Sequence, residues 1–230
     1  MTLATTLAAA TISLIGQKID LSKSELLYSF DTFNPADWTR VTGTPQWTVA
    51  ADSITGGGPD EPRHGQIFYK TPVAGDIVLE FDAKIVPPSY HDIVWLYDAR
   101  FDDPNPPKYA PWSAGYLGCL QGWYGDYAGI EKIPKYEVAA IHAAPHVEPG
   151  RTYHIVSGRI GKLHFIAVDG KTLTTMSDPA SPDPTVPGYF GFGIYKSHCS
   201  YSHLKVYRPF VERQSCGYVP GTKYKGPASE

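Results

Sequence analysis

Closely spaced cysteines, clustered basic residues and long apolar runs are all missing from this 230-residue chain, and each absence removes a class of protein. Its three cysteines, Cys119, Cys199 and Cys216, allow at most one internal disulfide. Their wide spacing lacks the paired pattern of a zinc site. Lysine and arginine (20) are scattered among slightly more acids (23), giving a net charge of −3 and no basic field to hold nucleic-acid phosphates. A nucleic-acid partner is therefore not expected. The apolar stretch at residues 2–15 is shorter than the roughly 20 residues that span a bilayer, so no membrane partner is expected either. It also has no basic residue ahead of it, the first cation being Lys18, and so reads as a mature strand or short helix rather than a signal peptide. Both asparagines, Asn34 and Asn105, precede proline, so no glycosylation sequon exists. Secreted and cytoplasmic settings both fit these features. Gly-x-Ser-x-Gly is absent, and Gly56-Gly57-Gly58-Pro59 lacks the Lys-Ser/Thr that cradles phosphate. It is a turn.

Proline (21), glycine (22) and tyrosine (16) are abundant, while leucine-rich helical periodicity is scarce. That balance predicts an all-β chain, long enough for one large domain and without a repeat or linker to divide it. The clearest segment runs from Arg151 to Lys171. Two apolar strands meet at Gly161-Lys162 and close at Asp169-Gly170, the composition of a β-hairpin followed by a tight turn. Residues 26–30, 46–51 and 65–69 read as earlier strands. Residues 76–84 alternate at period two, placing Ile77, Leu79 and Phe81 on one buried face. In residues 91–100 the aliphatic Val94 and Leu96 are assigned to the core, which leaves His91, Trp95 and Tyr97 for an open face. Residues 103–112 and 178–187 are proline-rich loops. The pattern dissolves past Phe210, so residues 211–230 read as a tail or an edge extension.

The hairpin pattern Tyr153-x-Ile155, Gly161-Lys162 and Phe165-x-Ala167-Val168-Asp169-Gly170 resembles the concanavalin-A-like lectins and glucanases. Gly188-Tyr189-Phe190-Gly191-Phe192-Gly193-Ile194-Tyr195 and Leu204-Lys205-Val206-Tyr207 look like the end of the same jelly roll. A narrower resemblance is to the YesU-like group of bacterial proteins linked to sugar degradation. It rests on Gly118-Cys119-Leu120-Gln121-Gly122-Trp123-Tyr124 and on Ile133-Pro134-Lys135-Tyr136-Glu137-Val138-Ala139-Ala140. The resemblance implies a two-sheet antiparallel β-sandwich of the concanavalin-A-like jelly-roll type over residues 25–210. Residues 1–24 would be an N-terminal extension and residues 211–230 a tail. It also implies a carbohydrate partner.

That frame admits three chemistries. A retaining glucanase needs paired carboxylates on one strand face, but Glu80-Phe81-Asp82 continues as Ala83-Lys84-Ile85 without the third acid, so Glu80 and Asp82 read as solvent-side strand residues. Eliminative cleavage of a glycosidic bond in an acidic oligo- or polysaccharide needs a base, an enolate-stabilising group and an acid for the leaving oxygen. His91 or His198 is the expected base and Tyr195 the acid. Lys196 and Gln121 are expected at the carboxylate or enolate, with Trp95, Tyr97, Trp123, Tyr124 and Lys132 holding the sugar. The alternatives are a non-catalytic carbohydrate-binding module and an enzyme acting on 3-keto glycosides. Elimination requires no cofactor. Neither His142 with His146 nor His198 with His203 has zinc-ligand geometry, whereas Asp98 or Asp102-Asp103 beside loop carbonyls offers the oxygens calcium takes. Cys119 is expected to be a buried, reduced thiol, with Cys199 and Cys216 the one pair able to bridge.

Overall fold

The computed structural model describes residues 11–42, 47–57, 65–101, 113–122 and 125–214. Strands β1 (Thr11–Leu14), β2 (Gln17–Asp20) and β3 (Glu25–Phe30) come first. A 3-10 turn over Pro35–Asp37, capped by the Asn34 side chain accepting from the Ala36 amide, leads into β4 (Trp38–Thr42). Then follow β5 (Trp47–Val49), β6 (Ile54–Gly56), β7 (Gly65–Tyr69), β8 (Ile77–Ile85), β9 (Ile93–Arg100) and β10 (Ala114–Leu120). Next are β11 (Tyr127–Ile133), β12 (Glu137–Ala143), β13 (Tyr153–Ile160) and β14 (Leu163–Val168). The chain continues through β15 (Lys171–Ser177), β16 (Tyr189–Ile194), β17 (Cys199–Arg208) and β18 (Val211–Arg213).

Seven strands form one sheet in the order β12-β11-β10-β9-β16-β7-β4. Eight form the other, in the order β15-β14-β13-β8-β17-β6-β5, with β3 also on β17. The hairpin lies where its composition puts it: β13 and β14 turn at Gly161, and Asp169 and Gly170 both take positive φ, the conformation of a type I′ turn. Between the sheets lie Leu79, Phe81, Ile155 and Val168, as the alternation requires, packed with Phe192, Tyr201 and Ile130.

On β9 the faces are the reverse of the sequence expectation. Trp95 and Tyr97 point between the sheets and are wholly buried, while Val94 and Leu96 join Phe68, Leu117, Cys119 and Ile133 in a cluster on the outer face of the seven-stranded sheet. Every residue of β9 is buried, so polarity cannot distinguish its two faces. The deciding residue is Gly118, opposite Trp95 across the ladder, where a Cβ would lie 2.3 Å from the indole. The absent side chain leaves room for the ring.

The outer face of the eight-stranded sheet is covered by a third, small sheet, β1-β2-β18. Ile12, Leu14 and Ile19 bury Val78, Val156 and Phe165 there. Just past Phe210 the chain forms an edge extension: Val211, Glu212 and Arg213 pair with β2. No helix among the described residues is long and apolar enough to cross a membrane.

Candidate functional site

At one end of the sandwich the connections β8–β9, β10–β11, β12–β13 and β16–β17 are tied together. Gln121, in the left-handed conformation, donates from Nε2 to the Tyr90 carbonyl (2.8 Å) and accepts the Val147 amide on Oε1 (2.7 Å). The His198 amide donates to Ser89 Oγ (3.0 Å), and its carbonyl accepts the Val86 amide (2.7 Å). Three of the four expected catalytic residues meet within this knot. The His91 and Tyr195 rings are 5.5 Å apart, edge to face, and Lys196 Nζ stands 5.3 Å from the centre of the Tyr195 ring.

Asp92 lies behind them. It is 3% exposed, accepts Ser197 Oγ at 2.8 Å, and has Oδ2 3.4 Å from His91 Nδ1. Burial raises its carboxyl pKa, and the neighbouring His91 imidazole and the Ser197 hydroxyl only partly oppose that. A carboxylate on the Nδ1 side favours the tautomer whose Nε2 is the free acceptor, the state a general base needs. His198 is half-buried, its Nδ1 finds no partner among the described residues, and burial pushes its imidazole pKa down. Tyr90, 73% exposed at the rim, was missed by sequence reasoning because a tyrosine in a turn has no periodic pattern to mark it.

The remaining expected residues are elsewhere. Trp95 and Tyr97 are in the core, so neither offers a surface to a sugar, and the Tyr97 hydroxyl sits 3.3 Å from His164 Nδ1. Lys132 is at the opposite end of the sandwich, donating to Asp178 (2.6 Å) and to the Ala180 carbonyl (3.1 Å). Gln121 serves as a loop tie. Trp123 and Tyr124 lie outside the described residues, as do Asp102, Asp103 and Cys216. Cys119 and Cys199 are buried free thiols; burial pushes Cys199 up to about 12, and its Sγ donates to the Asp92 carbonyl.

Asp98 is not a calcium ligand in this arrangement, because both of its oxygens are taken. Oδ1 accepts Arg100 Nη2 and Oδ2 accepts Arg159 Nη1, each at 2.5 Å. Among the described residues no group of three or more His, Cys, Asp or Glu is arranged to hold a metal ion. The two arginines also hold the 178–188 connection through the carbonyls of Pro182, Asp183, Val186 and Pro187. Nearby, His164 Nε2 is 2.8 Å from Ser181 Oγ; burial, then the Arg159 guanidinium, push this imidazole down to about 3.

Glu80 and Asp82 do lie on the outer side of β8, but they are not merely solvated. His154 on β13 sits between them, Nδ1 at 2.8 Å from Asp82 and Nε2 at 3.3 Å from Glu80. Tyr207 donates to Glu80 (2.7 Å), and His203 Nδ1 is 2.9 Å from Asp82. The contacts with Asp82 and then Glu80 raise the His154 pKa to about 9. Burial pushes both carboxyls up, but His154, joined by Tyr207 and Lys205 at Glu80 and by His203 at Asp82, outweighs it and lowers them. The histidine's contribution is fully present below its unfolded pKa of about 6.5 and is lost as pH rises through 9. The carboxylates' contribution is lost in acid. Replacing His154→Gln is expected to remove on the order of 1–2 kcal/mol of stability near neutral pH, after allowance for solvent screening. Urea unfolding between about pH 6 and pH 10 checks this, since the variant should lose the alkaline decline of the parent. An unchanged decline would assign it to other groups.

By sequence the chain matches no family profile and no curated protein. By structure it is similar to the carbohydrate-binding module CBM66 from Bacillus subtilis, with TM-score 0.56 and 18% identity over 74% of this chain and 95% of that one. A protein of unknown function with a galectin-like fold, also from Bacillus subtilis, aligns with TM-score 0.65 and 14% identity, covering 80% and 96% of the two chains. The exoplasmic/lumenal domain of VIP36 in its Ca2+/Man2-bound form aligns with TM-score 0.59 and 11% identity, covering 88% and 92%. The fold is a concanavalin-A-like, galectin-like β-sandwich.

Proposed function

We propose that this protein recognises carbohydrate at the loop end of the sandwich and cleaves it by β-elimination. The observation that carries the reading is the meeting of His91, backed by buried Asp92, with Tyr195 and Lys196. In this scheme His91 removes the proton α to a uronate carboxylate, and Lys196 offsets the charge that develops on the carboxylate oxygens. The electron pair moves into a new carbon–carbon double bond as the bond to the leaving oxygen breaks, and Tyr195 protonates that oxygen. The narrower resemblance to the YesU-like group, with its link to sugar degradation, points the same way. A second reading, a binding module without turnover, is supported by two of the structural neighbours, one described as a carbohydrate-binding module and one carrying Man2. The 3-keto glycoside reading would use the same base and acid on a ketone-activated proton.

Incubation with a panel of uronate-containing polysaccharides and, separately, with 3-keto glycosides, following the ultraviolet absorbance of the unsaturated product, tests the proposal. Rising absorbance is the expected result. Saturable binding without it selects the module, and turnover of only 3-keto glycosides selects the third reading.

A further inference from the structure

A second polar site lies toward the same end of the molecule but on the outer face of the eight-stranded sheet. Three neighbouring strands build it. The register sets Lys84 of β8 opposite Ser200 of β17, and Asp82 opposite both Ser202 and His154. Thr152, just before β13, completes the row, and Asp52 in the β5–β6 turn closes one side. Among the described residues no hydrogen bond or ion pair engages Lys84 Nζ or the hydroxyls of Thr152, Ser200 and Ser202, and all four residues line one depression of about 210 Å³. That is room for a single sugar ring.

His203 is aimed there by the backbone. β17 shifts register between Ser202 and Lys205, and His203 takes a φ of 51°, a left-handed conformation in a bulged strand. Bulges of this kind re-aim a side chain, and non-glycine residues at positive φ collect at functional positions. Asp82 accepts on the Nδ1 side at 2.9 Å, so Nε2 is the atom left to face a ligand.

We infer that this depression binds a neutral, polyhydroxylated ligand, a hexose unit rather than an anion. The two charged side chains that line it, Lys84 and Asp52, cancel. The charges around it are already paired, the carboxylates Glu80 and Asp82 with His154 and Lys205, and Arg151 beside Thr152 with Asp169. What remains is hydroxyls, an imidazole nitrogen, one ammonium and one carboxylate, the mixture of donors and acceptors that ring hydroxyls require. The site is separate from the loop-end cluster and does not depend on turnover there.

The test is an NMR titration of the whole chain with glucose, galactose and mannose, and separately with sodium sulfate. The backbone amides of Thr152, Ser200, Ser202 and His203 report this site, and those of Tyr90, His91 and Tyr195 report the loop end. Saturable shifts of the first group with at least one hexose are expected. His203→Gly, which keeps the left-handed backbone while removing the imidazole, and Ser202→Ala should each weaken that binding by about tenfold, the value of one lost hydrogen bond. A response to sulfate alone, shifts confined to the loop end, or affinity unchanged in both variants would overturn the inference.

Discussion

Asp98→Asn is expected to lower the free energy of unfolding by about 3–5 kcal/mol, the cost of leaving buried charge uncompensated. Asparagine has nearly the same shape and tolerates the φ of 55° that Asp98 adopts, so the backbone is not the cause of the loss. The charge is. Arg159 has no exposed surface, and among the described residues its one carboxylate partner is Asp98; Arg100, 7% exposed, shares that carboxylate. Without it two buried guanidinium groups face each other with only carbonyl oxygens between them and the 178–188 connection. The midpoint of urea unfolding reads the loss, and limited proteolysis should show cleavage within residues 178–188 before cleavage elsewhere. A loss below about 1 kcal/mol would mean that water screens the triad as it does a surface pair.

Tyr195→Phe is expected to slow elimination by roughly 10²- to 10⁴-fold, the usual value of a positioned proton donor, with little effect on binding because the ring is retained. Tyr195 follows β16 rather than lying within it, half-buried and outside the inter-sheet core, so the substitution removes an oxygen without opening a cavity. Steady-state kinetics separates the outcomes: a fall in kcat at nearly constant KM fits the acid role, whereas a rise in KM alone fits a contact made equally in ground and transition states. Equal turnover by the two proteins removes Tyr195 from the chemistry.

The parts legible in sequence were those governed by local pattern. β8 is buried on one face and charged on the other, so alternation alone orients it, and the β13–β14 hairpin announces its turn through glycines. β9 gave no such contrast, and its orientation rests on a glycine in the neighbouring strand. The loop-end cluster was partly legible: His91, Tyr195 and Lys196 come from chain segments about a hundred residues apart, brought together by strand order rather than spacing. The roles of Lys132, Asp98 and His154 were hidden for the same reason. Each depends on a partner distant in the chain, Asp178, Arg159 and Asp82 respectively, and spacing within its own strand does not report that partner.

The closure of the back sheet by distant segments bears on how the chain folds. β17 supplies the partner of β3, β6 and β8 together, and β18 pairs with β2, where Lys23 meets Glu212 from 189 residues away. A chain emerging from the ribosome therefore holds β3 and one edge each of β6 and β8 unpaired until residue 208 is available, and the cover over Val78 and Phe165 is incomplete until residue 213. Such non-local pairing makes folding slow, in the millisecond-to-second range or beyond, and leaves apolar strand edges exposed during synthesis. Yield in a host should thus depend more on chaperone capacity and growth temperature than on the stability of the finished molecule.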